Sequence, residues 1–579
     1  MSPLKTLFRV YVIRHWISFT AASCFLIITN YLTVSIPSQI GLAIDNFSTG
    51  NPMQHIINIF WMGAVIVVVR TLSRVLFFNP ARDIEYQIRQ DIFVRLLALQ
   101  PTFYSLFNRG DIISRASNDI TWTRIMIGFG GLQLINVFFA VVLTGWKMVE
   151  ISFLLSVLAI VPILIGFVIV NIVIRRLYPL MLLNQQQLSR ISEHVLESLQ
   201  GIASIQSFGA QDAFEAKFRD RNEAWFKTGM RLAVLRSFFA PLIAFAAGGS
   251  LFMIIYFGGP MVVNEDDLSI GDLAALIALV ATLVPYMRSI GWMLSVWQRG
   301  KASLERIFEL MDAHIERPEL QLETIAKMTS GKGPAISIRN LSFSYPNTDK
   351  KVLKNISIDI PTGATVGIFG RTAAGKSTLL KLISRSYNPP TETIFVDGFD
   401  IGSLDLLEWR RRISVVSQRS FLFSESITSN ISFEKNPDEE RLQRAIEMAS
   451  LTQDLPALPN GVNTIVGERG IMLSGGQRQR VALARGLYLQ GDLLLLDDVL
   501  SAVDHENEHK LVQTLSALSK SEKQLTCVIV SNRISAFRHA DFIVVLEDGE
   551  VQSTGSHEQL IAAPGIYQQA YLAQQEDSQ

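Results

Sequence analysis

Stretches with no Asp, Glu, Lys or Arg run over residues 16–44, 125–146, 151–174 and 237–264. Each is long enough to cross a hydrocarbon core of about 30 Å, which takes about 20 helical residues. Two weaker stretches complete the pattern. Residues 56–78 are apolar but carry Arg70 and Arg74 near their end, and 273–297 are broken by Pro285 and Arg288. Beyond about residue 330 no apolar run approaches spanning length. Backbone groups in lipid must be satisfied internally, so the pattern predicts six transmembrane helices followed by one water-facing domain. The first run is too long for the apolar core of a cleavable signal peptide.

Basic residues are distributed unevenly between the connections. Lys5, Arg9 and Arg14 precede the first span; Arg82, Arg89, Arg95, Arg109, Arg115 and Arg124 fall between spans two and three; a longer basic series from Arg175 to Arg236 falls between spans four and five. Residues 45–55 hold no Lys or Arg, Lys147 stands alone in a tight turn, and 258–272 hold only acids. The Lys/Arg bias predicts that both termini are cytosolic. Residues 83–99 and 188–208 space their Ile, Leu, Val and Phe as helices do. The membrane helices are therefore expected to continue into the cytosol, turn back near 108–110 and 209–211, and bury an apolar stripe against the soluble domain. Pro318, Gly331, Gly333 and Pro334 mark a linker. The predicted organisation is a membrane domain over 1–315, a linker over 316–334 and a soluble domain over 335–579.

Composition agrees with a membrane assignment. Of 579 residues, 49% are hydrophobic and 18% charged, whereas soluble domains carry about 25% charged residues. Lys+Arg and Asp+Glu balance at 52 each, so no global field attracts nucleic acid. Two cysteines, Cys24 and Cys527, exclude a disulfide-stapled secreted fold and a Cys-based zinc module.

Chemistry concentrates after the linker. Gly370-Arg371-Thr372-Ala373-Ala374-Gly375-Lys376-Ser377-Thr378 fits G-x-x-x-x-G-K-S, after a β-like run at 365–369 and before a helix-like run at 378–384. In that context backbone N–H groups wrap phosphates, Lys376 reaches the β and γ oxygens, and Ser377 binds Mg²⁺. A second apolar strand, 493–496, delivers Asp497 and Asp498 to the strand end where α/β sheets bind ligands. Asp497 suits the Mg²⁺ shell and Asp498 the attacking water.

Between these elements stands Leu473-Ser474-Gly475-Gly476-Gln477. The order P-loop, Gln418, LSGGQ, strand with Asp-Asp resembles the ATP-binding-cassette (ABC) ATPases, and with six preceding spans it is similar to the exporter class. The resemblance implies a six-helix membrane domain joined to an α/β P-loop domain. It implies that Tyr345 stacks on adenine, that Gln418 touches Mg²⁺ and couples to the membrane part, and that 464–470 and 501–504 are the pre-signature and D-loop segments. It also implies that 108–119 and 197–201 are coupling segments. In that family two cassettes close head to tail, each ATP lying between one chain's P-loop and the other's signature. Ser474, Gly475, Gly476 and Gln477, opening a helix, suit that second anion site. With six spans, the chain is expected to be a half-transporter.

Three positions depart from the family pattern: Asp498 stands where Glu is usual, Asn532 where a switch histidine is usual, and Ala373 where Gly is common. Asp498 is one methylene short, and a misplacement of about 1 Å can cost about 10²-fold. Asn532 can donate a hydrogen bond but lacks imidazole proton chemistry. The expectation is a chain that binds ATP and Mg²⁺, hydrolyses poorly at its own site and lends an intact signature to a second, different half-transporter. The alternatives are a homodimeric lipid or lipopeptide flippase, and a nucleotide-regulated membrane protein without transport of its own. Within the spans, Arg288 and Trp292 are expected to face a cargo cavity, and Gln133 and Asn136 to join helices or touch cargo. The cargo class is an amphipathic small molecule, drug-like or lipid, moved across what is expected to be a bacterial inner membrane; nucleic acid is no partner.

Overall fold

The computed structural model describes residues 2–47, 50–263, 268–313, 332–346, 348, 350–467, 472–499, 513 and 524–576. The chain forms two compact units: Met1–Leu97 with Arg109–Ala313, and Ala98–Asn108 with His314–Gln579.

Among the described residues the first unit holds six helices long and apolar enough to span a membrane: Pro3–Asp45, Met53–Ala98, Arg109–Ile151, Phe153–Gln200, Gln211–Val263 and Ile270–Met311. Each runs for 42 to 53 residues, about twice what the hydrocarbon core requires. Pro285 interrupts the apolar run but not the sixth helix, which passes straight through it. Lys147 lies in helix rather than in a turn, because it pairs with Glu150 at 2.7 Å and the chain breaks only at Ser152, the N-cap of the next helix. The turn expected near 108–110 begins earlier. The second span ends at Ala98, and Gln100 is extended (ψ 159°) ahead of Pro101, which opens a short helix Pro101–Leu106. A residue before proline is driven out of the helical region. The expected turn at 209–211 is present, with Gly209 at φ +61°.

Span four packs along span five, and span six lies against spans one, three and five. Where span one ends and span six begins, the two backbones nearly touch. A Cβ on Gly271 would lie 2.1 Å from the Gly41 carbonyl oxygen. Asp45 closes the contact by accepting from Ser269 Oγ (2.6 Å) and the Gly271 amide (2.8 Å). Gly271→Val is therefore expected to cost about 1–3 kcal/mol by forcing the helices apart, read as a lower thermal midpoint in detergent. Spans three and six are joined at their other ends by buried Arg115, which donates to Asp111 (2.8 Å) and Glu309 (2.7 Å) and so keeps its charge compensated.

The described residues of the second unit form an α/β domain with two sheets. A four-stranded antiparallel sheet has the order β2-β1-β4-β5, with β1 Ile336–Ser344, β2 Lys351–Ile360, β4 Ile394–Val396 and β5 Phe399–Asp400. A six-stranded sheet has the order β10-β9-β3-β8-β7-β6, with β3 Thr365–Gly370, β6 Ile413–Val416, β7 Leu493–Asp497, β8 Thr526–Ser531, β9 Phe542–Glu547 and β10 Glu550–Gly555. Strands β6 to β9 and β3 pair in parallel. Parallel sheets are covered on both faces, which is why Leu493–Leu496 is uniformly apolar and buried. One face packs on helix Lys376–Ile383 and the antiparallel sheet, the other on helix Gly475–Leu489.

Candidate functional site

Three segments leave the parallel sheet at one edge. Phe369 on β3 pairs with Ser531 on β8, and Val530 on β8 pairs with Asp497 on β7. The chain therefore delivers the Gly370–Lys376 loop, Asp497-Asp498 and Asn532 side by side. Gly375 caps helix Lys376–Ile383 from the left-handed region (φ +98°), a conformation glycine takes without the steric cost of a Cβ. Ala373 also sits there, at φ +68°, which costs an alanine about 1 kcal/mol.

Lys376 Nζ folds back on the loop, donating to the Gly370 and Arg371 carbonyls. Burial pushes its ammonium below the usual lysine value, against the pull of Asp498 and Asp497. Both carboxyls are pushed up, first of all by burial. Ser377 Oγ donates to Asp497 Oδ1 at 2.8 Å. Gln418 Nε2 donates to Asp498 Oδ2 at 3.1 Å, which leaves the Gln418 carbonyl oxygen for another partner. The backbone of Asp498 is left-handed (φ +50°) and held from two sides: its amide donates to the Val530 carbonyl at 2.8 Å, and Gln479 Nε2 donates to its carbonyl at 3.2 Å.

Ser377, Gln418 and Asp497 supply hard oxygen donors, which fit Mg²⁺. Among the described residues no group of three or more His, Cys, Asp or Glu could hold a metal ion. The loop opens on a cleft of about 680 Å³. Lys350, Lys351, Lys354 and Asp548 line it with Ala373–Thr378; a run of three lysines in five positions was the signal sequence reasoning passed over. Tyr345 shares a hydrogen bond with Thr378 at 3.0 Å and meets Tyr387 edge-on at 5.1 Å, which places it beside the loop helix. Arg371 and Thr372 are exposed on the loop.

Ser474 caps helix Gly475–Leu489 in a reciprocal box with Gln477, while Asp454 receives both Arg480 (2.7 and 2.9 Å) and Gln477 (3.4 Å). A Cβ on Gly475 would meet nothing within 4 Å, so this glycine is not demanded by the chain's own packing. Residues 468–470 and the expected D-loop, 501–504, lie outside the described residues. In the second unit Gln100 donates to Asn388 at 3.4 Å, so the segment between spans two and three touches the α/β domain.

In the membrane unit Asn136 accepts from buried Asn30 at 3.0 Å, and Tyr286 reaches Asn30 at 3.4 Å. Asn136 thus joins spans one and three, as helix-joining polar residues do. Gln133 is half-buried on the same span. Trp292 is exposed and packs edge-on to Phe129 at 4.5 Å. Arg288 lies on the sixth helix, its side chain outside what is described.

A P-loop at the edge of a parallel sheet, an LSGGQ-capped helix and six preceding spans define a membrane transporter with an attached ATPase. Residues 19–287 match the ABC transporter transmembrane region family and 353–501 the ABC transporter family. The chain is 33% identical over 569 residues to the multidrug resistance-like ATP-binding protein MdlA of Buchnera aphidicola, covering 97% of this chain and 96% of that one. It is 29% identical to the probable multidrug resistance ABC transporter YheI of Bacillus subtilis, over 97% of this chain and 96% of that one. It is 30% identical to the ATP-dependent lipid A-core flippase of Pseudomonas fluorescens, over 83% and 79%. The chain belongs to the ABC transporter family, as an exporter-type, multi-pass integral membrane protein with its own ATPase domain.

Proposed function

We infer that this chain is one half of a dimeric ABC exporter and pairs with a different half-transporter. Residues 370–378 hold the phosphates of ATP, Tyr345 its base, and Ser377, Gln418 and Asp497 the Mg²⁺ that would neutralise phosphate charge. Ser474–Gln477 meet the nucleotide bound by the partner. The observation that carries the reading is the contrast at one sheet edge. The phosphate grip is complete, while the acid is a short Asp498, held by Gln418, and Asn532 replaces a proton-handling side chain. Such a site closes on ATP and resets slowly, leaving the reset to the partner's site.

The termini and the ATPase domain face the cytosol, supported by Lys/Arg concentrated at one end of the spans, and the membrane is the bacterial inner membrane, supported by bacterial relatives throughout. The cargo is amphipathic, drug-like or lipid, in line with an apolar membrane unit. A homodimeric flippase is the second reading, favoured by the likeness to lipid A-core flippases.

Inverted vesicles bearing the native assembly test this directly. Asp498→Asn should leave more than half of ATP-driven dye accumulation, because reset occurs elsewhere. Lys376→Ala should weaken ATP binding by this chain roughly tenfold or more, the worth of a hydrogen bond to a charged group. Loss of all ATPase activity with Asp498→Asn would overturn the impaired-site reading. Absence of any ATP-driven accumulation in the wild type would favour a regulatory protein.

A further inference from the structure

The last helix of the cassette, Ile566–Glu576, ends beside the segment that carries Asn532. Gln574 uses both ends of its amide there: Oε1 accepts from the Ile534 amide at 2.9 Å, and Nε2 donates to the Asn532 carbonyl at 2.9 Å. Ile534 is buried and opens the 3₁₀ turn Ile534–Phe537, so without Gln574 its amide would lose the partner it has at the start of that turn. Asn532 is exposed and follows directly on β8, where the strand leaves the sheet beside the phosphate loop. The helix is itself fixed to the loop's strand. Buried Tyr567 meets Phe369, the residue before Gly370, edge-on at 5.1 Å, and its hydroxyl is hydrogen-bonded to His557 Nδ1 at 2.8 Å.

We propose that Gln574 is a positioning residue: it clamps the backbone of the Asn532–Ile534 segment so that Asn532 stands where the terminal phosphate of a nucleoside triphosphate arrives. Two hydrogen bonds from one planar amide fix both the height and the rotation of the segment relative to the loop, which a single bond does not. The proposal rests on the reading of Asn532 as the γ-phosphate contact. Its consequence is specific. A diphosphate lacks the group Asn532 meets, so releasing the clamp weakens triphosphate binding and spares diphosphate binding.

The test uses the full-length chain in lipid, with binding of a non-hydrolysable ATP analogue and of ADP measured for wild type, Gln574→Ala, Gln574→Glu, Asn532→Ala and the Gln574→Ala/Asn532→Ala double variant. Gln574→Ala should weaken the analogue about five- to tenfold, the worth of one or two hydrogen bonds, with ADP affinity within about twofold of wild type. Gln574→Glu keeps the acceptor for Ile534 and loses the donor to Asn532, so it should fall between. In the Asn532→Ala background, Gln574→Ala should have no further effect on the ATP-to-ADP ratio, because the two act through one contact. Equal weakening of both nucleotides would show a merely structural role and overturn the proposal. So would additive effects in the double variant. If Asn532→Ala itself leaves the ratio unchanged, the underlying reading of Asn532 falls and the proposal with it; if Asn532→Ala shifts the ratio and Gln574→Ala does not, the positioning role alone falls.

Discussion

Asp498→Glu combined with Asn532→His is expected to raise hydrolysis at this chain's own site by about two orders of magnitude. In the proposed reading the site contains what binding needs, so the chemical step is where rate is to be gained. Glu adds the methylene that carries a carboxylate from the β7 edge toward the attacking water. His adds a group that both donates to the γ-phosphate and handles a proton near neutral pH. Each single substitution should gain much less, because groups that act together in one transition state are strongly non-additive. Asp498 stands at φ +50°, where an aspartate is tolerated better than longer side chains, so the Glu variant should lose a little thermal stability while it gains rate. The measurement is single-turnover hydrolysis with the partner's catalytic acid removed, so that only this site contributes.

The second large effect is expected at the signature. Gly475→Asp adds a carboxylate to the first turn of helix Gly475–Leu489, at a position where a Cβ meets no atom of the chain. A carboxylate at a helix N-terminus is favourable, so the thermal midpoint of the isolated chain should hold or rise slightly. In the proposed dimer the same charge would lie where the phosphates of the partner's nucleotide seat, and like-charge repulsion in a closed, dry interface is severe. Assembly ATPase activity should fall by about 10²-fold or more, in the range found when one electrostatic stabiliser is removed from an active site. ATP binding at this chain's own P-loop should be unchanged. A protein that keeps its stability and its nucleotide but loses turnover would be the mark of a site completed by another chain.

Much of this was legible in the sequence because the signals are local. A span is a contiguous apolar run, so the six helices could be read directly. The phosphate loop is a fixed spacing between a strand and a helix, and Leu493–Leu496 followed by two acids is a continuous pattern. What escaped depends on residues far apart in the chain. Asn136 meets Asn30 across 106 positions, and the clamp on Asn532 comes from Gln574, 42 positions on. Gln479 reaches the Asp498 backbone from inside the signature helix, although nothing in its spacing from LSGGQ announces that reach. The early turn after span two is a different kind of miss. Gln100-Pro101 ends the helix there, inside apolar spacing that otherwise suits a continuous helix.

The central claim is that this chain grips ATP firmly and turns it over only in company. Steady-state ATPase activity of the purified full-length chain in lipid, as a function of ATP concentration and without any second half-transporter, tests it most directly. The account predicts saturable ATP binding with slow hydrolysis that shows no cooperativity and rises sharply when a half-transporter bearing Glu and His at the matching positions is added. Fast, cooperative hydrolysis by the chain on its own would contradict it.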